Sequence, residues 1–326
     1  MAFYVWDKEI KEWTNYEYTE TYHQMQDIKC VTFNVLFDER YGVSYRSNVI
    51  YSQERYADTL KKLHQMFPDV ISLNEVTKTF LKIAEECEWV RENYFMSEVT
   101  KTSDDASSIH GFGNLVMTRI PPSSCEVFTV ESLPRPIVTG IFNICGSDDK
   151  KFKLSVVSAH LTSMADNFNQ REKQITSVSD MLQTFDTDVN IIQGDMNFHS
   201  EVESKYVSQI NYIDAWEQLY DIKKDPGYTF DAELNHMSQE IWLGFENRKM
   251  RLDRVLMSQN NICKVKNINV IFDKSIYEGN NNYKKMGYGK ALISLLFDIF
   301  GYNVYRDKNN YLFNSDHYGL VTTFEV

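Results

Sequence analysis

VNIIQGDMN (189–197) is the stretch on which the reading of this chain turns. Its first five residues form an apolar run, which predicts a buried strand closing at the Gly194 turn. Active-site residues of layered α/β proteins gather at the carboxyl ends of strands. This strand delivers two candidates there, Asp195 and Asn197, pointing the same way. The acid can take a proton from water, and the amide can donate to a phosphate oxygen. An Asp-Asn pair also caps ordinary turns, so GDMN gains weight only from what surrounds it.

Working outward, strand-like runs recur with helical stretches between them: IKCVTFNVL (28–36), DVISLNEV (69–76), GNLVMTR (113–119), IVTGIFNIC (137–145), FKLSVVSAHL (152–161) and RLDRVLM (251–257). Many are apolar on both alternations, as strands covered on both faces should be. Tyr56, Leu60, Leu63 and Phe67 step at helical spacing, as do Ile175, Val178, Leu182 and Phe185. Both stretches are expected to cover a sheet. The strands share a second property, a polar residue where the apolar run stops. Asn34, Glu75, His160 and the Asp195/Asn197 pair end four of them, Asp253 lies in RLDRVLM, and Asp316-His317 precede a last strand in NSDHYGLVTTFEV. Singly each has a plain explanation. Together they imply one shared site, because buried polar groups are costly unless they meet partners.

Composition narrows the class. With 326 residues, 43% hydrophobic and 14% aromatic, the chain can bury a large core and is not disordered. No run of 18 apolar residues occurs and the N-terminus is not signal-like, so a soluble intracellular protein (cytoplasm or nucleus) is expected. The acidic balance and the lack of a basic amphipathic segment speak against a membrane partner, and a monomer is expected. Cys30, Cys87, Cys125, Cys145 and Cys263 form no CxxC pair and read as reduced thiols. The net charge of −12 disfavours broad nonspecific grip on nucleic acid, but not an enzyme that meets phosphate in a metal-filled cleft. No linker or repeat divides the chain. Residues 1–26 read as an arm laid on a single domain spanning 27–326, with an excursion at about 273–310 whose ALISLLFDIF segment (291–300) is a short apolar helix candidate.

The polar inventory suits one chemistry. Glu75 and Asp316 are hard oxygen ligands of the kind magnesium takes, one or two carboxylates beside a substrate phosphate. Cysteine is absent from these motifs and histidine sparse, which disfavours zinc. There is no GxSxG, no familiar Cys-His pair and no phosphate-binding GxxxxGK[ST] loop. Metal-assisted attack of water on a phosphodiester uses every group.

In order, Asn34, Glu75, His160, GDMN, the RLDRV strand and SDHYGL resemble the motifs of the endonuclease/exonuclease/phosphatase superfamily over about residues 28–326. The resemblance implies a four-layer α/β sandwich, two packed mixed β-sheets flanked by helices. HLTS with Arg171 and Gln174, DAWEQL (214–219), GYTFDAELN (227–235), RLDRVLM and SDHYGLV are most similar to the tyrosyl-DNA phosphodiesterase 2 branch. One departure is that the metal motif, commonly QE, here reads Asn74-Glu75, a shorter amide that could reposition substrate. Chemistry and resemblance together imply that Glu75, with Asn34 and Asp316, holds magnesium (manganese substituting). Asp195 then activates water, Asn197 and His160 donate to phosphate oxygens, and His317, oriented by Asp253, completes the phosphate clamp. Phe230 is a candidate for stacking a base or for the core, and Arg254 and Arg171 are candidates for backbone phosphates or for surface salt bridges. The implied activity is hydrolysis at nucleic-acid ends, single-stranded DNA or RNA, including 5′-phosphotyrosyl links. An RNA exonuclease or deadenylase, a phosphoinositide phosphatase or lipase, and a noncatalytic binding module are the alternatives.

Overall fold

The computed structural model describes residues 3–37, 51–103, 107–241, 246–277 and 312–326. The apolar runs become the centres of two mixed sheets. Among the described residues one sheet has nine strands. Its order runs Lys264–Ile271, Gly319–Glu325, Asp27–Asn34, Val70–Val76, Phe112–Thr118, Phe95–Met96, Tyr4–Asp7 and Glu12–Asn15, with Ile109–His110 also paired to Phe112–Thr118. The other has seven, in the order Tyr212–Asp214, Asp253–Ser258, Val189–Asp195, Lys151–His160, Ile137–Cys145 and His23–Gln24, with Ser124–Phe128 on Ile137–Cys145.

Strand alternation assigns each residue its layer. In Asp27–Asn34, Ile28 and Cys30 enter the apolar layer between the sheets, whereas Val31 and Phe33 face outward. In Val189–Asp195, Val189 and Ile191 face inward and Ile192 outward. The outward residues of the nine-stranded sheet pack on the helices Ser52–Met66 and Lys78–Glu86 through Tyr56, Leu60, Leu63 and Phe80. Those of the seven-stranded sheet pack on Phe168–Gln183 through Ile175, Val178 and Leu182. The result is the expected four-layer α/β sandwich. Cys30, Cys125, Cys145 and Cys263 are buried as free thiols.

The N-terminal residues are not an arm on the surface. Tyr4–Asp7 and Glu12–Asn15 form a hairpin that extends the nine-stranded sheet through Met96, and His23–Gln24 pairs in parallel with Ile144 and Cys145 of the other sheet. Phe3 is fully buried between the sheets. These strands are two to four residues long and carry polar residues, so no apolar run announced them. The segment 291–300 and most of the 273–310 excursion lie outside the described residues.

Register brings the polar strand ends together. Asn34 lies beside Asn74 in one sheet, while His160 lies beside Asp195 and Asp195 beside Asp253 in the other. All occupy the inner face at the end where the inter-sheet layer turns from apolar to polar, the change being marked by Gln193, whose side chain donates to Ser72 Oγ (2.8 Å) and the Val31 carbonyl (3.2 Å).

Candidate active site

Gly194 permits a close approach here, of the adjacent strand in its own sheet and of Asn74 Oδ1 from the other sheet, 3.0 Å from an added Cβ. Its φ of 144° and the Ala159 carbonyl, which would lie 1.9 Å from an added Cβ, leave room only for glycine. Asn74, fully buried, fastens the two sheets across this point. Its Oδ1 accepts from the Asp195 N–H (2.9 Å), and its Nδ2 donates to Asn114 Oδ1 (2.8 Å) and the Ala159 carbonyl (3.1 Å). The amide that departs from the common motif thus holds Asp195, not substrate.

Strict alternation would turn Glu75 outward with Leu73. A register irregularity between Leu73 and Val76 and a left-handed φ of 59° at Glu75 carry its carboxylate into the site instead. Asn197 (φ 52°) is bent in the same way, beyond its strand. Non-glycine residues in this conformation cost about 1–3 kcal/mol, and such strain concentrates at functional sites.

The groups converge on a cleft of about 570 Å³ whose wall includes Glu75, His160, Asp195, Asn197, Asp316 and His317. At its floor Asp195 Oδ2 accepts from Asn34 Nδ2 (3.1 Å), and Oδ1 accepts from the Asn197 N–H (2.9 Å). His160 Nε2 lies 3.5 Å from Asp195 Oδ2 and 4.0 Å from Glu75 Oε1. His317 Nδ1 is hydrogen-bonded to Asp253 Oδ2 (2.9 Å), and its Nε2 lies 3.9 Å from Asp195 Oδ2. The Asp253 N–H is itself held by Thr229 Oγ1 (3.0 Å). Asn197 donates to the Leu161 carbonyl (3.0 Å), leaving its second amide hydrogen for the cleft.

Burial and like charge set the electrostatics. Burial pushes Asp195 up, to about 7, and the neighbouring Asp253 and Glu75 carboxylates add to the rise against the pull of His317. Glu75 is raised by burial and by Asp316. Burial lowers His160 well below the usual imidazole value, helped by Arg135 and His317, so it is neutral. Burial also opposes charge on His317, yet Asp253 and Asp195 outweigh it and hold the ring protonated well above the usual range.

Two groups of side chains could hold a cation. Among the described residues, Asp195, Asp253 and His317 bring three ligand atoms within 4.8 Å of one another, but His317 Nδ1 is engaged by Asp253 Oδ2 and the ring is protonated, and an imidazolium has no lone pair to offer a cation. Glu75 and Asp316 face the cleft as like charges, and Glu75 accepts only the Phe37 N–H (3.1 Å) among the described hydrogen bonds. Oxygen donors of one sign beside open space fit a hard divalent cation.

Residues 31–270 match the profile of the Endonuclease/Exonuclease/phosphatase family. The chain belongs to that family. Its chemistry is accordingly hydrolytic, directed at phosphodiester bonds. A sequence search of curated proteins finds no match. Among solved structures, TDP2 of D. rerio complexed with a single-strand DNA product superposes with a TM-score of 0.61 at 17% identity, covering 93% of this chain and 100% of that one. Truncated TDP2 of Caenorhabditis elegans gives 0.60 at 17% identity over 92% and 98%. The human Nocturnin catalytic domain with bound sulfate gives 0.54 at 16% identity over 92% and 94%. At these identities the likeness shows the shared family fold.

Two of the sequence candidates stand elsewhere. Arg171 is fully buried, donating to Glu203 Oε1 (2.7 Å) and to the Thr162 (3.0 Å) and Met164 (2.6 Å) carbonyls. Arg254 is buried against Asp214 (2.7 Å) and lies over Phe198. Neither lines the cleft, and guanidinium groups so engaged are internal braces, neither phosphate contacts nor surface salt bridges. Phe230 does line the cleft, edge-on to His317 at 5.6 Å, with Met250 and Leu252 continuing an apolar wall. Phe112, Arg135, His199 and Arg248 also line it. No strand-end signal marked them, because Phe112 begins a strand rather than ending one, Arg135 lies at a bend, and His199 and Arg248 lie in irregular segments.

Proposed function

We propose that this chain is a magnesium-dependent phosphodiesterase acting at nucleic-acid ends, of the kind that hydrolyses 5′-tyrosyl-DNA links. The observation that carries the reading is the pairing of two like-charged carboxylates, Glu75 and Asp316, with an acid-histidine floor in one cleft. Glu75 and Asp316 would hold magnesium, whose charge would offset that of a nonbridging phosphate oxygen. Asp195, ionised, orients a water and takes its proton. Asn34 and the Asn197 N–H fix the direction of its oxygens. Neutral His160 and the free amide hydrogen of Asn197 donate to the oxygens that gain charge as the water attacks. His317, protonated and oriented by Asp253, supplies a further charged donor. The apolar wall of Phe230, Met250 and Leu252 suits an unstacked base more than a phosphate. The similarity to a TDP2 structure that holds a single-strand DNA product supports a single-stranded substrate. No helix among the described residues is long and apolar enough to cross a membrane.

The test is a substrate comparison in magnesium. Tyrosine should be released from a 5′-phosphotyrosyl oligonucleotide, leaving a 5′-phosphate, with little action on the 3′-linked isomer. Preferential digestion of poly(A) from its 3′ end would replace this reading with that of an RNA exonuclease.

A further inference from the structure

The helix Ser52–Met66 covers the nine-stranded sheet with Tyr56, Leu60 and Leu63, yet it also turns a polar stripe toward the cleft end. Arg55 is fully buried on that stripe. Its Nη1 donates to the Val35 carbonyl (2.8 Å) and the Asn314 carbonyl (2.7 Å), and its Nη2 donates to the Leu36 carbonyl (3.1 Å). The same helix grips Asn314 by its side chain. Asn314 Nδ2 donates to Asp58 Oδ2 (2.8 Å) and Thr59 Oγ1 (3.1 Å), and Lys62 Nζ donates to Asn314 Oδ1 (2.8 Å).

The first loop so tied reaches Glu75 through a hydrogen bond, and the second carries Asp316, the two carboxylates proposed to take the cation. Past Val35 and Leu36, the Phe37 N–H donates to Glu75 Oε2 (3.1 Å). Past Asn314 comes Asp316, after the Ser315 hydroxyl, which accepts from the His317 N–H (3.1 Å). Glu75 and Asp316 repel each other, so their spacing has to be imposed from outside the pair. A guanidinium offers donors in a fixed planar fork, which a lysine ammonium cannot reproduce. We propose that Arg55 is a positioning residue for the divalent-cation site, setting the separation of Glu75 and Asp316 by bridging the loops that hold them. This rests on the reading that those two carboxylates take the cation.

Manganese titrated into the metal-free protein, with bound ion counted by electron paramagnetic resonance, reads the effect without substrate. Arg55→Met should weaken manganese binding about 10–100-fold, the usual loss when an outer support of a metal ligand is removed. Arg55→Lys should lose less, because it retains charge but cannot span three carbonyls. Arg171→Met, which removes an equally buried arginine bracing the opposite loops, should leave manganese affinity unchanged. If Arg55→Met fails to fold, Arg55→Lys decides alone. Wild-type affinity in a folded Arg55 variant, or an equal loss in Arg171→Met, would overturn the proposal. A wild-type protein that binds no manganese, or a Glu75→Ala variant that binds it normally, would instead remove the cation reading and this proposal with it.

Discussion

On the seven-stranded side of the cleft, Asp195 is held by Asn34 and the Asn197 N–H, and beside it Asp253 is locked to His317. On the nine-stranded side, Glu75 sits on a left-handed bulge, held by the Phe37 N–H and facing a second acid, Asp316. Asp195 and His317 are oriented by side-chain hydrogen bonds, whereas Glu75 and Asp316 are two like charges facing the open cleft. Hydrogen-bonded groups are suited to guiding a proton, and an under-compensated acid pair is suited to receiving a cation. The difference divides the labour of the site and predicts different defects on its two sides.

The largest loss on the paired side should come from Asp195→Asn. Removing a general base typically costs about 10²–10⁴-fold, and here it should fall on kcat with KM nearly unchanged. His317→Ala should follow, at about 10²–10³-fold in kcat, with Asp253→Asn a milder version. Steady-state kinetics separates these cases. Defects confined to KM would make these residues substrate contacts and erase the contrast between the two sides.

The pH profile sharpens the comparison next. Asp195 works ionised, so turnover should fall as pH drops through its raised value. His317 works protonated, so turnover should fall again at alkaline pH. In His317→Gln the alkaline limb should vanish. The acid limb should move to higher pH, because the imidazolium that pulls Asp195 down is gone. An acid limb that stays in place would show that the two groups are not coupled as the geometry implies.

The smallest effect belongs to the apolar wall. Phe230→Ala should raise KM for a single-stranded oligonucleotide by the equivalent of about 1–3 kcal/mol, the range for one lost base stack, and leave a short substrate without a base at that position unaffected. Equal losses on both substrates would return Phe230 to a core role.

The sequence made the cleft legible where function and strand structure coincide. Apolar runs that stop at Asn34, His160 and Asp195 name their own carboxyl ends, and register does the rest. Arg171 and Arg254 stayed open between phosphate contact and salt bridge because their partners, Glu203 and Asp214, lie 32 and 40 residues away, so charge alone could not mark them as internal braces. The bulge that turns Glu75 inward is a backbone event with no residue signature, since glutamate seldom adopts that conformation. Arg55 was hidden for a related reason. Helical spacing exposes an apolar stripe but says nothing about a polar one that grips loops far along the chain.

Turnover of a 5′-phosphotyrosyl oligonucleotide in excess chelator tests the division between the two sides most directly. Wild-type turnover should cease in chelator and return on addition of magnesium or manganese. Glu75→Ala should fold but recover almost none of it. Undiminished wild-type turnover in excess chelator, or a Glu75→Ala variant as active as the wild type, would contradict a cation-dependent site built on Glu75 and Asp316.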